Sequence, residues 1–525
     1  SRSAGGVVSQ AVSNAYIAGL RPFLRAPILS LALAAAAIAL GAALYRSVGT
    51  DYIPALDEGA FILDYWTPPQ SSLEDTGMLL DKIEDVLRTT PEVAAYSRRT
   101  GTQLGFFLTE SNRGDISVRL KHQRSRDIDA VIDSVRERIL ATVPGVRIEF
   151  SQILQDLIGD LSGVPEPIEV KVFGPDTSAI RAVAGQVARR LLAIKGLVDV
   201  FDGIVLSNPE EEVLVDETAA ERYRLSAEDV RAALEAVVAG TVATSVRTAD
   251  RLIDVRVRYP ELFHRDLGAL SEVMLSTPEG GMVPLSSVAK LKWLGERAEL
   301  DRERLLPVVH VTARLSRIDL GAAMDQVKQS LAGLALPPGV TLEYGGLYAE
   351  QQKAFHELTL VLIGGIVGVF LILVWEFARL APAISVLLCA IPALTGSFIA
   401  LQITGITLNI SSFMGIIMVV GIAAKNGILL LDRAEREVRS GTEPRAALVE
   451  AARIRIRPIV MTTLATAAGL LPLAMGLGAG AKVQQPLAIA VIGGLAFAMT
   501  LSIPLAGGIY LMGTREGRAE TRHNG

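Results

Sequence analysis

The sequence predicts a membrane protein that combines a bundle of six transmembrane helices with a large α+β region outside the bilayer. Of its 525 residues, 50% are hydrophobic and 20% are charged, and the mean hydropathy is +0.39. This balance is too apolar for a soluble protein and too charged for one that lies wholly in the membrane. Six segments have roughly the 20 apolar residues that span a bilayer. They are Pro27–Tyr45, Leu358–Trp375, Leu380–Ile403, Leu408–Leu431, Pro458–Leu477 and Pro486–Met512.

The basic residues predict the orientation of these spans. Arg21 and Arg25 precede the first segment, and further arginines crowd the loop after the fourth and the tail after the sixth. Because short cytoplasmic loops are rich in Lys and Arg, both ends of the chain are expected in the cytoplasm and residues 47–350 on the far side. The formal net charge of −5 gives no basic surface for nucleic acid.

The large exterior region carries a repeat of strand, helix, strand, strand, helix and strand. The sequence Pro144–Phe150 closely matches Pro338–Tyr344 and sets the register of the two copies. Each copy is predicted to be a ferredoxin-like βαββαβ unit. The second is interrupted by an α+β docking module, in which Ser226 and Asp229 form a capping-box signature at the start of a helix.

These patterns predict the following domain organisation. We expect a cytoplasmic segment at 1–26, a span at 27–46, a first subdomain at 51–160, a second at 165–205 and 301–346, the docking module at 206–300, a five-helix domain at 354–512 and a cytoplasmic tail at 513–525.

Lys425 is the one charged residue within the apolar segment Leu408–Leu431. A charge inside a bilayer costs at least a few kcal/mol and usually belongs to an ion or proton pathway. No Asp or Glu lies within any of the six apolar segments, so a carboxylate partner has to come from outside them. The alternative is a lysine that extends its side chain to the cytoplasmic surface.

Three motifs give the chain a specific resemblance to a known family. They are Asp51–Gly59, Gly421–Leu429 and Arg453–Thr463. Together with the order of spans, they resemble the carboxy-terminal half of a resistance-nodulation-division (RND) efflux permease. The resemblance implies a multi-pass protein of the bacterial inner membrane, with its large region in the periplasm. It also implies a secondary transporter, not an enzyme, that uses the proton gradient and no cofactor.

The same resemblance implies the partners and a proton relay. The partners are the amino-terminal half of the permease, which carries the proton-binding carboxylates, two further copies in a homotrimer, a periplasmic adaptor protein and an outer-membrane channel. Lys425, Asn426, Arg455 and Thr462 match the relay. Asn426 could instead make a plain structural hydrogen bond, Arg455 could only set the topology, and Thr462 could bond a carbonyl of its own helix.

The substrate is the least determined part of the prediction. Gly105, Phe106 and Phe107 resemble the substrate loop of drug exporters, which favours organic, amphiphilic compounds, although the two Phe rings could simply pack inward. Heavy-metal export is the main alternative. The sequence offers no methionine cluster for a soft metal and no histidines at ligand spacing, so we predict no metal site, but zinc or cobalt bound through carboxylates stays open. A scaffold without transport activity is the alternative of another class.

Overall fold

The computed structural model describes residues 16–69, 71–103, 108–162, 166–205, 210–260, 267–294, 299–478 and 480–523. Within these ranges, six helical segments are long and apolar enough to cross a membrane. They follow the order predicted from hydropathy. The first is α1 (Ile28–Ser47), and the large extramembrane region comes next in the chain.

The first extramembrane unit pairs two helices with a four-stranded antiparallel sheet. Its elements are β1 (Ala60–Trp66), α2 (Leu73–Arg88), β2 (Val93–Thr100), β3 (Arg113–Leu120), α3 (Ile128–Thr142) and β4 (Arg147–Gln152). The strands lie in the order β2-β3-β1-β4. Phe61, Leu63 and Tyr65 of β1 pack into the buried core. Because side chains alternate along a strand, Asp64 lies on the opposite face of the sheet.

The order of elements in this unit is the predicted one. The structure adds α4 (Ile153–Ser162), which follows β4 directly and which the sequence analysis does not predict. A helix directly after a strand leaves no turn signal between them, so the pattern of apolar residues gave no boundary at this point.

The second unit repeats the arrangement around a five-stranded sheet. Its elements are β5 (Ile168–Phe173), α5 (Thr177–Leu192), β6 (Leu197–Phe201), β13 (Asp301–Glu303), β14 (Leu306–Leu315), α8 (Leu320–Leu331) and β15 (Thr341–Gly345). Four strands lie in the order β13-β14-β5-β15, and β6 pairs with β14. Val170, Val311 and Ala313 face the buried core. Arg314, the neighbour of Ala313, therefore lies on the other face.

Residues Ile204–Leu300, together with Pro68–Thr76, form a separate compact unit with its own core. Its elements are β7 (Glu210–Val215), α6 (Glu217–Arg222), α7 (Ala227–Val238), β8 (Thr241–Arg247), β9 (Leu252–Val257), β10 (Met274–Ser276), β11 (Met282–Pro284) and β12 (Ala289–Leu294). Ser226 and Asp229 form the predicted capping box on α7. The segment Pro68–Thr76 was predicted within the first subdomain, and its grouping here is a difference from that prediction.

The remaining spans form the helical bundle. They are α9 (Leu347–Phe377), α10 (Leu380–Ala390) with α11 (Ala393–Thr404), α12 (Ile410–Arg439), α13 (Pro444–Ala474) and α14 (Ala481–His523). The third span, predicted over Leu380–Ile403, is confirmed as Leu380–Thr404, and within it Ile391 and Pro392 separate α10 from α11. Proline lacks a backbone N–H and its ring clashes with the preceding turn, which ends α10.

Small residues allow the bundle helices to approach closely. An added Cβ at Gly396 of α11 would lie 2.5 Å from the carbonyl oxygen of Gly493 on α14. A methyl group does not fit in that space, so the two backbones touch directly. This contact agrees with the high glycine content of the sequence, because small residues mark helix interfaces in membranes.

Asp51 and Asp319 join the end of α1 to the second unit. The Asp51 carboxylate accepts a hydrogen bond from the Leu320 N–H at 2.9 Å, and Asp319 accepts one from the Thr50 N–H at 3.0 Å. The Asp51 N–H donates to the Leu408 carbonyl at 3.0 Å. The Asp51–Gly59 motif thus begins at a structural joint between two spans and the extramembrane region.

Candidate functional site

Lys425 lies on the surface of the described helical bundle. Ala423, Ala424 and Gly427 of the same helix are buried, and a Cβ at Gly427 would lie 3.2 Å from Val386 of α10. Lys425 is exposed, and no hydrogen bond or ion pair joins it to another described residue. The geometry leaves its ammonium group free for a partner outside the described chain, although its role in a relay stays a prediction.

A carboxylate that the sequence analysis did not consider lies on the same helix. Glu435 is only 4% exposed and accepts a 2.7 Å hydrogen bond from the Tyr510 hydroxyl of α14. Arg379 lies 3.7 Å from it. Glu435 follows the apolar run, so hydropathy did not mark it. Ten residues of helix place it about 15 Å along the axis from Lys425, too far for an ion pair.

Asn426 is buried beside Lys425, with 4% of its surface exposed. Its Nδ2 has no hydrogen-bond partner within the described residues. The plain structural hydrogen bond, the alternative to a relay role, is therefore not formed by this amide nitrogen within the described residues. An unpaired buried amide is unfavourable by about 1–3 kcal/mol, so the position calls for a partner.

Arg455 and Thr462 lie on α13. Arg455 is half-buried, and its Nε has no partner among the described residues. The Thr462 hydroxyl donates to the Ile459 carbonyl at 3.1 Å, which is the alternative in which it bonds its own helix. Seven residues separate the two side chains, so they share a helix face. Neither one contacts Lys425 or Asn426 through a hydrogen bond in the part of the chain described.

Gly105, Phe106 and Phe107 lie outside the described residues. The segment that leads to them is described, and the Gln103 amide donates to the Asp64 carboxylate at 3.4 Å. The segment that precedes the predicted substrate loop therefore contacts a half-buried acid of the first unit.

A row of acidic side chains crosses the first sheet on the face away from its helices. Asp64 of β1 lies opposite Asp115 of β3 on one side and opposite Glu149 of β4 on the other. Asp115 and Glu149 are 1% and 5% exposed. Arg99 pairs with Asp115 at 2.6 Å, and Arg147 approaches Glu149 at 3.4 Å. Asp64, the middle acid of the row, has no such arginine among the described residues.

Two groups outside the sheet complete this site. Burial first, then the charge of Glu149, raises the pKa of Glu166 to about 7. Arg314 of β14 acts in the opposite direction, because its charge lowers the pKa of both Glu166 and Asp64. We call the set of Asp64, Asp115, Glu149, Glu166 and Arg314 the polar layer.

Asp64 has the most perturbed carboxyl group of the polar layer. Burial is the largest cause and, with the nearby charges of Asp156, Glu149 and Asp115, raises its pKa to about 8, against an opposing effect of Arg314. A half-buried, crowded acid with such a pKa is a candidate functional group, because it exchanges a proton near neutral pH. Sequence reasoning missed it, since the neighbours come from distant strands.

The second sheet holds a different acid–base pair. His310 Nδ1 lies 2.6 Å from Glu169, and this hydrogen bond raises the pKa of His310. Glu169 also accepts from the Gly346 N–H at 3.1 Å, at the start of α9. Because Glu169 is already bonded to two groups, we assign the pair to positioning of α9.

No three His, Cys, Asp or Glu side chains of the described residues are arranged as a ready metal site. A cleft of about 330 Å³ does lie beside the Asp51–Asp319 joint, and Glu58, Asp129 and Asp133 also line it, together with Arg136 and Arg317, so that acids outnumber bases. A cleft lined mainly by one sign of charge concentrates ions of the opposite sign. The described surface therefore favours cations over anions at this position.

The fold is that of a multi-pass membrane protein with an α+β extramembrane region. A sequence profile described as the AcrB/AcrD/AcrF family matches residues 4–513, and the chain belongs to this family of RND efflux permeases. It is therefore a multi-pass protein of the inner membrane, and the predicted family is confirmed.

The names of individual relatives indicate which substrates those proteins export. The chain is 29% identical over 468 residues to the cobalt-zinc-cadmium resistance protein CzcA of Cupriavidus metallidurans, which covers 87% of this chain and 44% of CzcA. It is 28% identical over 477 residues to the nickel and cobalt resistance protein CnrA of the same organism, covering 88% and 44%. A crystal structure described as a heavy metal efflux pump matches with a TM-score of 0.83 and 28% identity, covering 95% of this chain and 52% of that one.

The chain thus spans about half the length of the relatives that it matches. These relatives are named for metals, so they favour the heavy-metal alternative. They do not support organic, amphiphilic compounds as the main substrates.

Proposed function

We propose that this chain acts as the carboxy-terminal half of a proton-driven permease that exports divalent heavy-metal cations. The names of its relatives support the substrate class. The observation that carries the proposal is the acidic row, in which the half-buried Asp64 lies between the buried Asp115 and Glu149. Carboxylate oxygens bind zinc and cobalt without any help from methionine or cysteine.

The acids of the row repel one another when they are ionised, and a bound metal ion offsets this repulsion. Like charges directly opposite each other on neighbouring strands destabilise a sheet. Asp64 avoids the conflict without metal by keeping its proton, because its pKa is about 8. A divalent cation that binds to Asp64 displaces this proton, since only the ionised carboxylate is a good ligand. Metal binding and proton release are therefore linked at this residue.

We assign the proton path, which has to be coupled to metal binding, to the helical bundle. Lys425 pairs with an ionised carboxylate of the amino-terminal half and moves away when that group is protonated. An ammonium nearby lowers the pKa of a carboxylate, so its movement links protonation to the conformation of the spans. Asn426, Arg455 and Thr462 are proposed to carry the proton along the same path.

We extend the proposal to the assembly. The two extramembrane units are ferredoxin-like porter subdomains in the periplasm, and the module between them docks to an outer-membrane channel. The active form is a homotrimer with a periplasmic adaptor protein. Gly105, Phe106 and Phe107 lie outside the described residues, and their role as a substrate loop stays a prediction.

Zinc binding to Asp64 variants tests this function. We expect the purified protein to bind Zn²⁺ at pH 7.5 and the Asp64→Asn variant to lose at least about tenfold in affinity, because a ligand is removed without a change of shape. Asp81→Asn is the matched control, since Asp81 is on α2 of the same unit with 74% of its side chain exposed. Equal Zn²⁺ affinity in the wild type and in Asp64→Asn would show that the acidic row does not bind the metal.

A further inference from the structure

We propose that Arg314 is a built-in counter-cation of the polar layer, and that its fixed charge keeps the affinity for a divalent metal low enough for the metal to leave. This inference rests on the proposed function, because it assumes that the metal binds at Asp64. It assigns to Arg314 the task of setting affinity, and it does not make Arg314 a ligand.

The position of Arg314 is unusual for an arginine. It is 5% exposed, and its Nε has no hydrogen-bond partner within the described residues. No described carboxylate lies within ion-pair distance of it. A buried guanidinium normally forms paired hydrogen bonds with a carboxylate, because an unpaired buried charge is strongly unfavourable. Arg314 is thus held near the acids without being bonded to them.

The neighbouring acids supply the attraction that holds this charge in place. The strand pairing places Arg314 beside these acids: Thr312, two residues before it on β14, lies opposite Phe201 of β6, and the guanidinium of Arg147 lies 3.4 Å from the centre of the Phe201 ring. From this position the charge of Arg314 lowers the pKa of both Asp64 and Glu166. The remaining acids of the layer already have other partners, since Arg99 pairs with Asp115 and Arg147 approaches Glu149. On its own sheet, Arg314 has the Glu169–His310 pair as its nearest charged neighbours along β14 and β5. Asp64 and Glu166 are therefore the acids left for Arg314 or for a metal.

A metal at these acids has to share them with a cation that cannot leave. Arginine stays charged at all physiological pH values, so the guanidinium repels an incoming divalent ion throughout the cycle. In a buried site this repulsion is weakly screened. A transport site has to bind its ion well enough to receive it and weakly enough to release it. The repulsion from Arg314 weakens metal binding and so allows the ion to be released.

The test is the affinity for Zn²⁺, measured by calorimetry on the 525-residue chain in lipid nanodiscs. Arg314→Met keeps most of the side-chain volume and removes the charge, and Arg314→Gln removes it with a polar group left in place. We expect both to bind Zn²⁺ at least about tenfold more tightly, which corresponds to about 1.4 kcal/mol. Arg314→Lys keeps a positive charge and is expected to bind within about threefold of the wild type.

Arg304→Met is the matched control, because Arg304 belongs to the same unit and is 67% exposed. The direction of the change separates this role from a structural one, since damage to the fold weakens binding. Unchanged or weaker Zn²⁺ binding in the neutral variants would overturn the inference. If those variants do not fold, a tenfold increase in the affinity of Arg314→Lys would overturn it. Loss of Zn²⁺ binding in Asp64→Asn with no effect of the Arg314 variants would support the proposed function and contradict the role of Arg314.

Discussion

Asp64 and Asp115 lie directly opposite each other on the antiparallel strands β1 and β3, in a position where two acids repel. Asp115 is offset by Arg99 at 2.6 Å, whereas Asp64 faces Glu149 on its other side and is offset by the nearby charge of Arg314. A local conflict of this kind is expected where function competes with stability. The following predictions distinguish contributions to function from contributions to stability.

The first prediction concerns the pH dependence of stability. Burial raises the pKa of Asp64 from 3.8 to about 8, so the protonated form stabilises the folded state. That contribution is complete below pH 4 and is lost as the pH rises toward 8, by at most about 1.4 kcal/mol per pH unit. Asp64→Asn has no proton to lose. Relative to the wild type, we expect its Tm to be higher at pH 9 than at pH 5 in metal-free detergent solution.

Asp81→Asn provides the baseline for this experiment, and its Tm difference from the wild type should not change with pH. If Asp64→Asn behaved like this exposed control, the carboxyl group would not be buried as described.

The second prediction concerns Lys425. In a complete permease, Lys425→Ala should abolish proton-driven export and leave assembly near normal, because it removes a charge that has no partner among the described residues. Export is measured in proteoliposomes, and assembly by size-exclusion chromatography. Lys482→Ala, which removes an exposed lysine of α14, is the control. Export at the wild-type rate in Lys425→Ala would exclude the relay role.

The third prediction tests the buried contact between α12 and α14. Tyr510→Phe removes the hydroxyl that donates to Glu435 at 2.7 Å. Hydrogen bonds to charged groups contribute about 1.5–3 kcal/mol, so the Tm in detergent should fall by several degrees. Tyr45→Phe is a fair comparison, because Tyr45 is a span residue with 47% exposure. A Tm equal to that of the control would show that the contact adds no stability.

The fourth prediction addresses helix packing. Gly396→Ala places a methyl group 2.5 Å from the Gly493 carbonyl oxygen, which forces α11 and α14 apart. Overpacking of this size is unfavourable by about 1–3 kcal/mol. Gly364→Ala on α9 meets no atom within 4 Å and serves as the control. We expect less folded membrane protein for Gly396→Ala alone, as measured by fluorescence-detected chromatography. Equal yields would mean that the two helices can move apart freely.

The sequence predicted the spans well because hydropathy is a local signal. Lys425 stood out for the same reason, as a single charge in an apolar run. Pro392 divided the third span, although the apolar pattern continued across it. The sequence did not predict the burial of Glu435, because that burial depends on Tyr510, which lies far away in the sequence.

The polar layer could not be found from the sequence. Asp64, Asp115 and Glu149 each look like an ordinary polar residue of an alternating strand. Only the register of β1 with β3 and β4 brings them into one row, and register depends on tertiary packing. The motif search pointed instead to Phe106 and Phe107, which favoured organic substrates.

The central claim is that a divalent metal is the cargo, and transport of Zn²⁺ tests it most directly. The complete permease is reconstituted in proteoliposomes with a proton gradient, and Zn²⁺ flux is followed beside that of a hydrophobic cationic dye. We predict proton-dependent Zn²⁺ flux that Asp64→Asn abolishes and no comparable dye flux. Dye transport without Zn²⁺ flux, unaffected by Asp64→Asn, would contradict the account.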